Sequence, residues 1–406
     1  MSRRVLILAN ALEGGGAESV ARDMLQHLPD SACVLFENDS QIKVAGKHIW
    51  VASSKKNRTL LGKVWINLWR IVFIQVIKLC YRPAVTVSHL EGPNFANLLT
   101  IGGKKKIIFV HNALSSSYSQ KSTVSMAKSL LARILYRHAS QIVGVSPLVC
   151  TELTENYSVR SERVLYLPNP IDVRKIRSAS IVEYKDALES LIGLDYIICV
   201  GSLSFQKNHR LAILIFSTLL KQKKIGMHIK LFIVGDGPLR VELIEFARSL
   251  NLIAFDWPAL SEGSRVDYSA NVFFLGFQPS PHRLVKFAKT SWMTSHWEGL
   301  PISLLESLAL ETPVVVSDCS SSLRSVMRDQ EAASQGSFSS GGIERTECGW
   351  IVGISGDGPE AIKIWCEIIV ESLMDSENRM RKGRACLRAA WKHDIEYIKV
   401  SWSGIF

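Results

Sequence analysis

The stretch SWMTSHWEGLPISLLESLALETPVVVS, residues 291–317, sets the interpretation of the whole chain. Its pattern predicts a loop, a short helix, a turn and a buried strand, in that order. Pro301 suits the first turn of a helix, where a backbone N–H would have no partner. Glu306 is expected about two turns into that helix, and Glu298 in the loop before it. The apolar run after Pro313 is typical of a strand buried on both faces.

This arrangement of charges can bind a nucleotide. The unpaired N–H groups and the positive dipole end of a helix N-terminus favour a phosphate. A carboxylate one or two turns along the helix can accept two hydrogen bonds from a vicinal diol such as a ribose. A carboxylate before the helix can reach a sugar hydroxyl. The spacing alone fits a capped helix with two solvated glutamates equally well, so the residues leave both interpretations open.

The same stretch resembles the E-x7-E signature of retaining glycosyltransferases of family 4. Glu298 and Glu306 match the acidic positions, and ESLALETPVVVSD follows the continuation of the family pattern. The resemblance implies the GT-B architecture, an α/β fold with two doubly wound, Rossmann-like parallel-sheet domains facing a cleft. It also implies that Glu306 holds the nucleotide ribose and that Glu298 contacts the donor sugar. The backbone of Gly299 and Leu300 would then meet the diphosphate and the sugar.

The length and composition agree with two domains. A chain of 406 residues with 47% hydrophobic residues is too long for one ordinary core. Its eight cysteines are scattered singly without metal-like spacing, which predicts reduced thiols and no metal site. The apolar run at residues 5–9 is too short for a secretion signal, so a cytoplasmic protein is expected.

The positive charge is concentrated in the first part of the chain. Residues 1–170 carry 21 of the 48 basic and 10 of the 37 acidic residues, which leaves 27 of each for the remainder. A basic domain suits nucleic acid, anionic lipid or a phosphorylated substrate. Because the sequence contains no nucleic-acid-binding motif, we expect no nucleic-acid partner.

A glycine loop follows the first predicted strand. The run EGGGAE, residues 13–18, separates that strand from a helix-like pattern, an order that brings backbone close to a ligand. The G-x-G-x-x-G pattern of dinucleotide sites is missing. The resemblance implies that Gly15 and Gly16 border the donor phosphates and the acceptor, whereas a tight turn is the alternative.

His111 is the main candidate in the first domain. It follows the apolar run 107–110, and ligands bind at the carboxyl ends of strands in open α/β sheets. A lone histidine is usually structural, but the resemblance puts a histidine of this position near the donor sugar. We therefore expect His111, Lys207 and Glu298 to be the catalytic residues.

The second domain begins with the strand 196–200 and the loop GSLSFQKN. The resemblance implies that Gly201 and Lys207 contact the donor diphosphate. Ser202 stands where the family has an arginine, and losing that charge-assisted contact costs about 1.5–3 kcal/mol if nothing replaces it. Gly235 and Gly276 lie in further glycine turns after strands, and the backbone near Gly276 is implied to contact the nucleotide base.

Residues 60–82 form the longest apolar segment. Arg70 and Lys78 interrupt it, and its uninterrupted runs are shorter than the ~20 residues needed to span a bilayer. Trp65 and Trp69 are four residues apart, as on one face of a helix. We expect a core helix packed on a sheet, with contact to a membrane surface as the alternative.

The predicted domains comprise residues 1–168, on the acceptor side, and 171–384, which bind the nucleotide-sugar donor. Helices are expected at 359–375 and 378–400, and a helix at about 385–406 is expected to cross back to the first domain. Residues 251–268 are expected to be a loop insertion.

The expected activity is retaining transfer of a hexose or N-acetylhexosamine from a nucleotide sugar, typically a UDP-sugar, without a metal or other cofactor. The acceptor would be a saccharide of surface-polysaccharide, lipopolysaccharide or lipid-linked glycan synthesis. The enzyme would be cytoplasmic and peripheral on an anionic membrane surface. A UDP-sugar 2-epimerase shares this architecture, and Ser202 also fits a non-catalytic glycosyltransferase-like partner subunit.

Overall fold

The computed structural model describes residues 4–12, 15–37, 44–53, 60–117, 123–185, 187–257, 266–328, 342–353, 358–374 and 376–406. The chain forms two α/β units. The first contains residues up to 170 together with 396–406, and the second contains residues 171–395. Each unit is built on its own sheet of mainly parallel strands, so the predicted fold class is confirmed.

The first unit has a seven-stranded parallel sheet of order β3-β2-β1-β4-β5-β6-β7. Its strands are β1 (Val5–Ala9), β2 (Ser31–Leu35), β3 (His48–Val51), β4 (Val85–His89), β5 (Lys105–Val110), β6 (Gln141–Gly144) and β7 (Val164–Tyr166). Its helices are α1 (Gly16–His27), α2 (Leu60–Tyr81), α3 (Glu91–Leu99), α4 (Leu114–Ser117), α5 (Thr123–Leu135), α6 (Pro147–Glu155) and α15 (Ile395–Ile405), whose first residue still belongs to the second unit.

The second unit has an eight-stranded sheet of order β10-β11-β9-β8-β12-β13-β15-β14, in which only β14 is antiparallel to its neighbour. The strands are β8 (Tyr196–Val200), β9 (Lys230–Val234), β10 (Ala254–Asp256), β11 (Val272–Gly276), β12 (Thr290–Met293), β13 (Val314–Ser317), β14 (Ile343–Arg345) and β15 (Gly349–Val352). The helices are α7 (Val173–Ser180), α8 (His209–Lys221), α9 (Arg240–Ser249), α10 (His282–Phe287), α11 (Ile302–Ala309), α12 (Ser321–Met327), α13 (Pro359–Met374) and α14 (Ser376–Trp391).

Several inner strands of both sheets are completely buried. All five residues of β1, β4, β9 and β11 are buried, because helices cover both faces of the sheet. The strand order reverses direction between β1 and β4 in the first unit and between β8 and β12 in the second. Loops at the carboxyl ends of strands beside such a reversal are where open α/β sheets bind ligands.

Helix α2 differs from the predicted core helix. Trp65 is 72% exposed and Leu79 is 60% exposed. Within residues 62–81, only 11% of an apolar 18-residue stretch is buried inside the protein. By length and composition this helix could cross a membrane. Its inner side is fixed to the first unit, since Trp69 Nε1 donates to Ala52 O (2.9 Å) and Lys78 Nζ to Asn97 Oδ1 (2.8 Å). Because its outer side is exposed, α2 is not a core helix, and that expectation is wrong.

Three expectations about the second half also need correction. The expected loop insertion at 251–268 is interrupted, because residues 254–256 form strand β10 beside β11. Residues 258–265 of this segment lie outside the described residues. The helix expected over 378–400 is broken between α14 and α15. The return to the first unit begins at residue 396 instead of 385, because α14 packs on α11 and buries Ala385, Cys386 and Ala389 in the second core.

Candidate active site

His111 follows β5 directly and is buried in the first unit. Its Nε2 lies 3.1 Å from Nδ1 of His89, the last residue of β4, and His89 stacks on Phe109. Burial lowers the pKa of His111 to about 4, although a hydrogen bond with Asn169 acts in the opposite direction. Burial, together with His111, also lowers the pKa of His89 well below its ordinary range. Both imidazoles are therefore neutral at pH 7.

His89 is not among the residues predicted from the sequence. The signal was available, because His89 ends an apolar strand in the same way as His111 follows one. Neighbouring parallel strands end at the same edge of the sheet, and β4 pairs with β5. The two histidines therefore meet, and His89 holds the ring of His111 in place.

Gly15 and Gly16 lie at the start of α1, as expected. Gly15 is the residue before the helix, and a Cβ there would lie 2.5 Å from Oε2 of Glu18. Burial raises the pKa of Glu18. The glycine therefore leaves room for a half-buried carboxyl group beside the backbone of the turn.

In the second unit, two glycine loops pack backbone against backbone. Gly235 has φ +143°, and a Cβ at this position would collide with the carbonyl oxygen of Gly201. Gly235 N also donates to Gly276 O at 2.8 Å, and Leu203 N donates to Asp236 O at 2.9 Å. The loops after β8, β9 and β11 are thereby held together, and they include the predicted residues Gly201, Gly235 and Gly276.

Lys207 and Glu298 form an ion pair. Lys207 Nζ lies 2.5 Å from Oε1 of Glu298, whose side chain is only 4% exposed. Ser295 Oγ donates to the same oxygen at 2.8 Å, and Gln206 Nε2 donates to the other carboxylate oxygen at 3.3 Å. Three donors thus hold the buried carboxylate, and two of them, Ser295 and Gln206, were not predicted from the sequence.

Ser202 lies in the same loop as Lys207. Its side chain is exposed, and its Oγ lies 3.1 Å from Oγ of Ser204. The short, neutral side chain cannot supply the charge of the arginine that the family has at this position. Lys207 is therefore the cation that this loop directs to Glu298.

The loop of Gly299, Leu300 and Pro301 leads into α11, with Pro301 as the residue before the helix. Ser320 Oγ donates to Gly299 O at 3.1 Å, and Leu300 is buried. The first turn of α11 leaves N–H groups without helical partners, since the helix has no earlier turn. This provides fixed donors next to the pair of Lys207 and Glu298.

Glu306 is the fifth residue of α11, so it lies about one turn into the helix and not two. Its Oε1 is 3.4 Å from Nε2 of His282, the first residue of α10. Nδ1 of His282 is 2.9 Å from Oγ of Ser280. The glutamate therefore has a histidine neighbour that no sequence pattern indicated.

Three aromatic side chains lie beside the ion pair. Phe205, 56% exposed, stacks on His296 at 4.7 Å between ring centroids and lies 6.0 Å from Trp297. His296 N donates to Gln206 O at 2.8 Å, and Gln206 Nε2 donates to Trp297 O at 3.0 Å. These bonds join the loop after β8 to the loop after β12.

The predicted residues thus fall into separate groups. Gly15, Gly16 and His111 belong to the first unit, and the remaining candidates belong to the second. The structure brings Lys207 to Glu298, whereas Glu306 has its own neighbour in His282. Within the described ranges, no group of three or more His, Cys, Asp and Glu side chains could hold a metal ion.

Two family models match the chain. "Glycosyltransferase Family 4" matches residues 14–175, and "Glycosyl transferases group 1" matches residues 195–338. A Campylobacter jejuni protein, N-acetylgalactosamine-N,N'-diacetylbacillosaminyl-diphospho-undecaprenol 4-alpha-N-acetylgalactosaminyltransferase, is 27% identical over 336 residues. The alignment covers 80% of this chain and 83% of that protein.

Solved structures share the fold. Anabaena HepE in complex with UDP and glucose has a TM-score of 0.69 at 14% identity, with 99% of each chain covered. Sucrose-phosphate synthase from Thermosynechococcus elongatus has a TM-score of 0.74 at 13% identity, with 99% of this chain and 98% of that chain covered.

Proposed function

We propose that this chain, a glycosyltransferase of the group 1 and family 4 type, moves a hexose or N-acetylhexosamine from a UDP-sugar to a lipid-linked saccharide, with retention at the anomeric carbon. The observation that supports this most is the pairing of Lys207 with the buried Glu298 in the loop before α11. A cation, a carboxylate and a helix N-terminus at one place suit a diphosphate joined to a sugar.

In this proposal, the diphosphate of the donor binds at Lys207 and at the N-terminus of α11. Lys207 turns from Glu298 to the diphosphate, and the freed carboxylate accepts a hydrogen bond from a donor sugar hydroxyl. Because Ser202 contributes no charge, the helix N-terminus carries a larger part of the electrostatic stabilisation. UDP is our choice of nucleotide because the similar structure of Anabaena HepE contains UDP and glucose.

The ribose is assigned to Glu306. A carboxylate can accept hydrogen bonds from both hydroxyls of a vicinal diol. His282, at 3.4 Å, limits the orientations that this carboxylate can adopt. The backbone near Gly276 would then face the base, as the family resemblance implies.

The reaction transfers one glycosyl group. The bond from the anomeric carbon to the diphosphate oxygen breaks, and a bond from the same carbon to the acceptor oxygen forms on the same face. The hydroxyl proton of the acceptor passes to the leaving diphosphate. Lys207 and the N–H groups at the start of α11 stabilise the negative charge that develops there, which is usually the largest catalytic contribution.

The acceptor is proposed to be lipid-linked. The Campylobacter relative is named for a diphospho-undecaprenol substrate, and the excess positive charge of this chain lies in residues 1–170. Such an acceptor is anionic and anchored in a bilayer, so the enzyme would act as a peripheral protein on the cytoplasmic face of the membrane.

The decisive experiment is a thermal-shift screen against UDP, GDP, ADP and their sugars, followed by transfer assays with Glu306→Ala. We expect stabilisation by UDP and UDP-sugars, and loss of both stabilisation and transfer in the variant. A chain that no nucleotide stabilises would contradict the proposal. Polarimetry or NMR of the product linkage tests retention separately.

Ser202 supports a second candidate, a non-catalytic partner subunit. Such a chain would bind nucleotide weakly and neither hydrolyse nor transfer the donor sugar. Donor hydrolysis that disappears in Glu306→Ala would exclude it. Incubation of the protein with UDP-N-acetylglucosamine alone tests the epimerase alternative, because an epimerase changes the sugar without any acceptor.

A further inference from the structure

The outer face of α2 is an uncovered apolar surface. Trp65, Leu68, Val72, Val76 and Leu79 recur every three or four residues and are each at least half exposed. The row extends over fifteen residues, or about 21 Å along the helix. A continuous apolar row of this size on a soluble surface marks a binding face.

Helix α5 carries a second row. Val124, Met126, Leu130 and Ile134 are exposed along its length. Helix α3 contacts both α2 and α5 and therefore lies between them. The first unit thus has two exposed apolar helices on either side of a third.

A groove of about 630 Å³ lies over α3. Phe95, Ala96 and Leu99 of α3 line it, Ile71 of α2 forms one wall and Leu131 of α5 forms the other. The volume is within the range of small-molecule sites, which are mostly apolar with a few polar groups. Here the lining is mostly apolar, although α2 also contributes Asn67 and α5 contributes Lys128, and the walls come from the same helices that carry the exposed rows.

One end of the groove is polar. His111 and Asn94 line it there, and Lys128 of α5, 3.8 Å from Glu91, adds a partly exposed cation. The groove therefore passes from an apolar part between α2 and α5 to the edge of the sheet where His111 follows β5. A ligand that fits must be apolar along most of its length and polar at one end.

The charged residues in the part of the chain that contains these helices are almost all basic. Residues 41–151 contain 16 Lys and Arg but a single acidic residue, Glu91. Positive charge beside an exposed apolar face complements an anionic lipid surface, because both the headgroup charge and the apolar interior are matched. This favours a bilayer over a protein partner.

We propose that the groove over α3 binds the hydrocarbon chain of a phosphate-bearing membrane lipid, which enters from an anionic bilayer in contact with α2 and α5. The inference rests on the proposed function, since it names the lipid part of the acceptor and where this part binds. The chain lies between Ile71 and Leu131 along α3, and the phosphate and its saccharide extend toward His111.

Photolabelling of the full-length protein tests the groove. Vesicles of phosphatidylcholine with 30% phosphatidylglycerol would carry either a diazirine-bearing polyprenyl phosphate or a diazirine-bearing phosphatidic acid, and mass spectrometry would locate the labels. We expect labels at Phe95 to Leu99 and at Ile71 or Leu131. Labelling by the first probe identifies an isoprenoid lipid and labelling by the second an acyl lipid, and either result supports the groove.

Two neighbouring variants provide a matched comparison. Leu99→Trp places a large side chain in the groove, whereas Ile101→Trp alters a position that is 78% exposed and does not line it. We expect at least a fivefold loss of groove labelling in the first variant and no loss in the second. Both should keep the thermal shift with UDP, which reports on the second unit.

The outcomes separate this inference from the proposed function. Absence of vesicle binding, labels only on the outer rows of α2 and α5, or unchanged labelling in Leu99→Trp would each overturn the groove proposal. A protein partner that protects α2 while vesicles do not would do the same. If UDP still stabilises the protein, the proposed transferase function survives any of these results.

Discussion

Helices α2 and α8 are both rich in apolar residues, yet α8 is largely buried and α2 is largely exposed. Nine side chains of α8 are buried, among them Phe216 and Leu219, because β9, α9 and α13 all contact this helix. Of the side chains described in α2, only Ile74 and Lys78 are buried. The apolar content of a helix therefore does not determine its burial, which depends on how many neighbours the topology provides.

The same contrast extends to the chemistry of the two units. The second unit buries charged and polar groups in a defined arrangement around Glu298, as a site for a small polar ligand requires. The first unit exposes apolar side chains beside an excess of positive charge. We interpret this difference as a division between donor binding and membrane-linked acceptor binding.

The largest expected effect tests the comparison of the helices directly. Phe216→Ala should lower the free energy of unfolding by about 3–5 kcal/mol, because it leaves a cavity in a packed core. Trp65→Ala should change it by less than about 0.5 kcal/mol, as for other exposed positions. Urea denaturation of both variants measures this, and similar losses would show that α2 is covered in solution.

Substitution of Lys207 tests the donor side. Lys207→Ala should weaken UDP binding about 10- to 150-fold, which corresponds to the loss of a charge-assisted contact of about 1.5–3 kcal/mol. Isothermal titration calorimetry gives the affinity. Lys221→Ala, at the exposed end of α8, is the control and should bind UDP normally. An unchanged affinity in Lys207→Ala would remove this lysine from the donor site.

The pH dependence of stability tests the burial of Lys78 in the first unit. Burial, with Lys106 nearby, lowers the pKa of Lys78 to about 7 from its ordinary 10.5. Between these values the unfolded chain binds more protons, so stability should rise with pH from about 7 to 10, by at most ~1.4 kcal/mol per pH unit. Lys78→Met should flatten this rise in urea titrations, whereas Lys104→Met, at an exposed position, should retain it.

The smallest expected effect concerns His282. His282→Ala should weaken UDP binding by about 0.5–1.5 kcal/mol, since only the orientation of Glu306 is disturbed. Inorganic diphosphate, which has no ribose, should bind equally well to the variant and the wild type. His228→Ala, a change at a largely exposed histidine, serves as the control. Equal weakening of both ligands would show that His282 acts on the diphosphate.

Most of the fold was predictable because parallel strands buried on both faces appear as apolar runs. The runs at residues 5–9, 107–110, 196–200 and 314–316 all form strands. Strand β10 was missed because it has only three residues, of which Asp256 is charged. The break between α14 and α15 was missed because residues 392–394 contain neither proline nor glycine.

The candidate site was only partly predictable. The E-x7-E resemblance selected Glu298 and Glu306, but Glu298 is held by Ser295, Gln206 and Lys207, which come from two loops. A sequence does not indicate which loops meet across neighbouring strands, so Gln206 and His282 could not be assigned, whereas His89 could have been found as the end of an apolar strand. The roles of the candidate residues in catalysis stay predictions.

The exposed row of α2 also has a consequence for how the protein behaves once it is purified. Two chains in water can hide these side chains by placing one α2 against another. Self-association should therefore increase with protein concentration and decrease when detergent micelles are added. Sedimentation velocity with and without a mild detergent would reveal it, and Trp65→Ser should shift the equilibrium toward the monomer. The purification buffer would then determine which oligomeric state is observed.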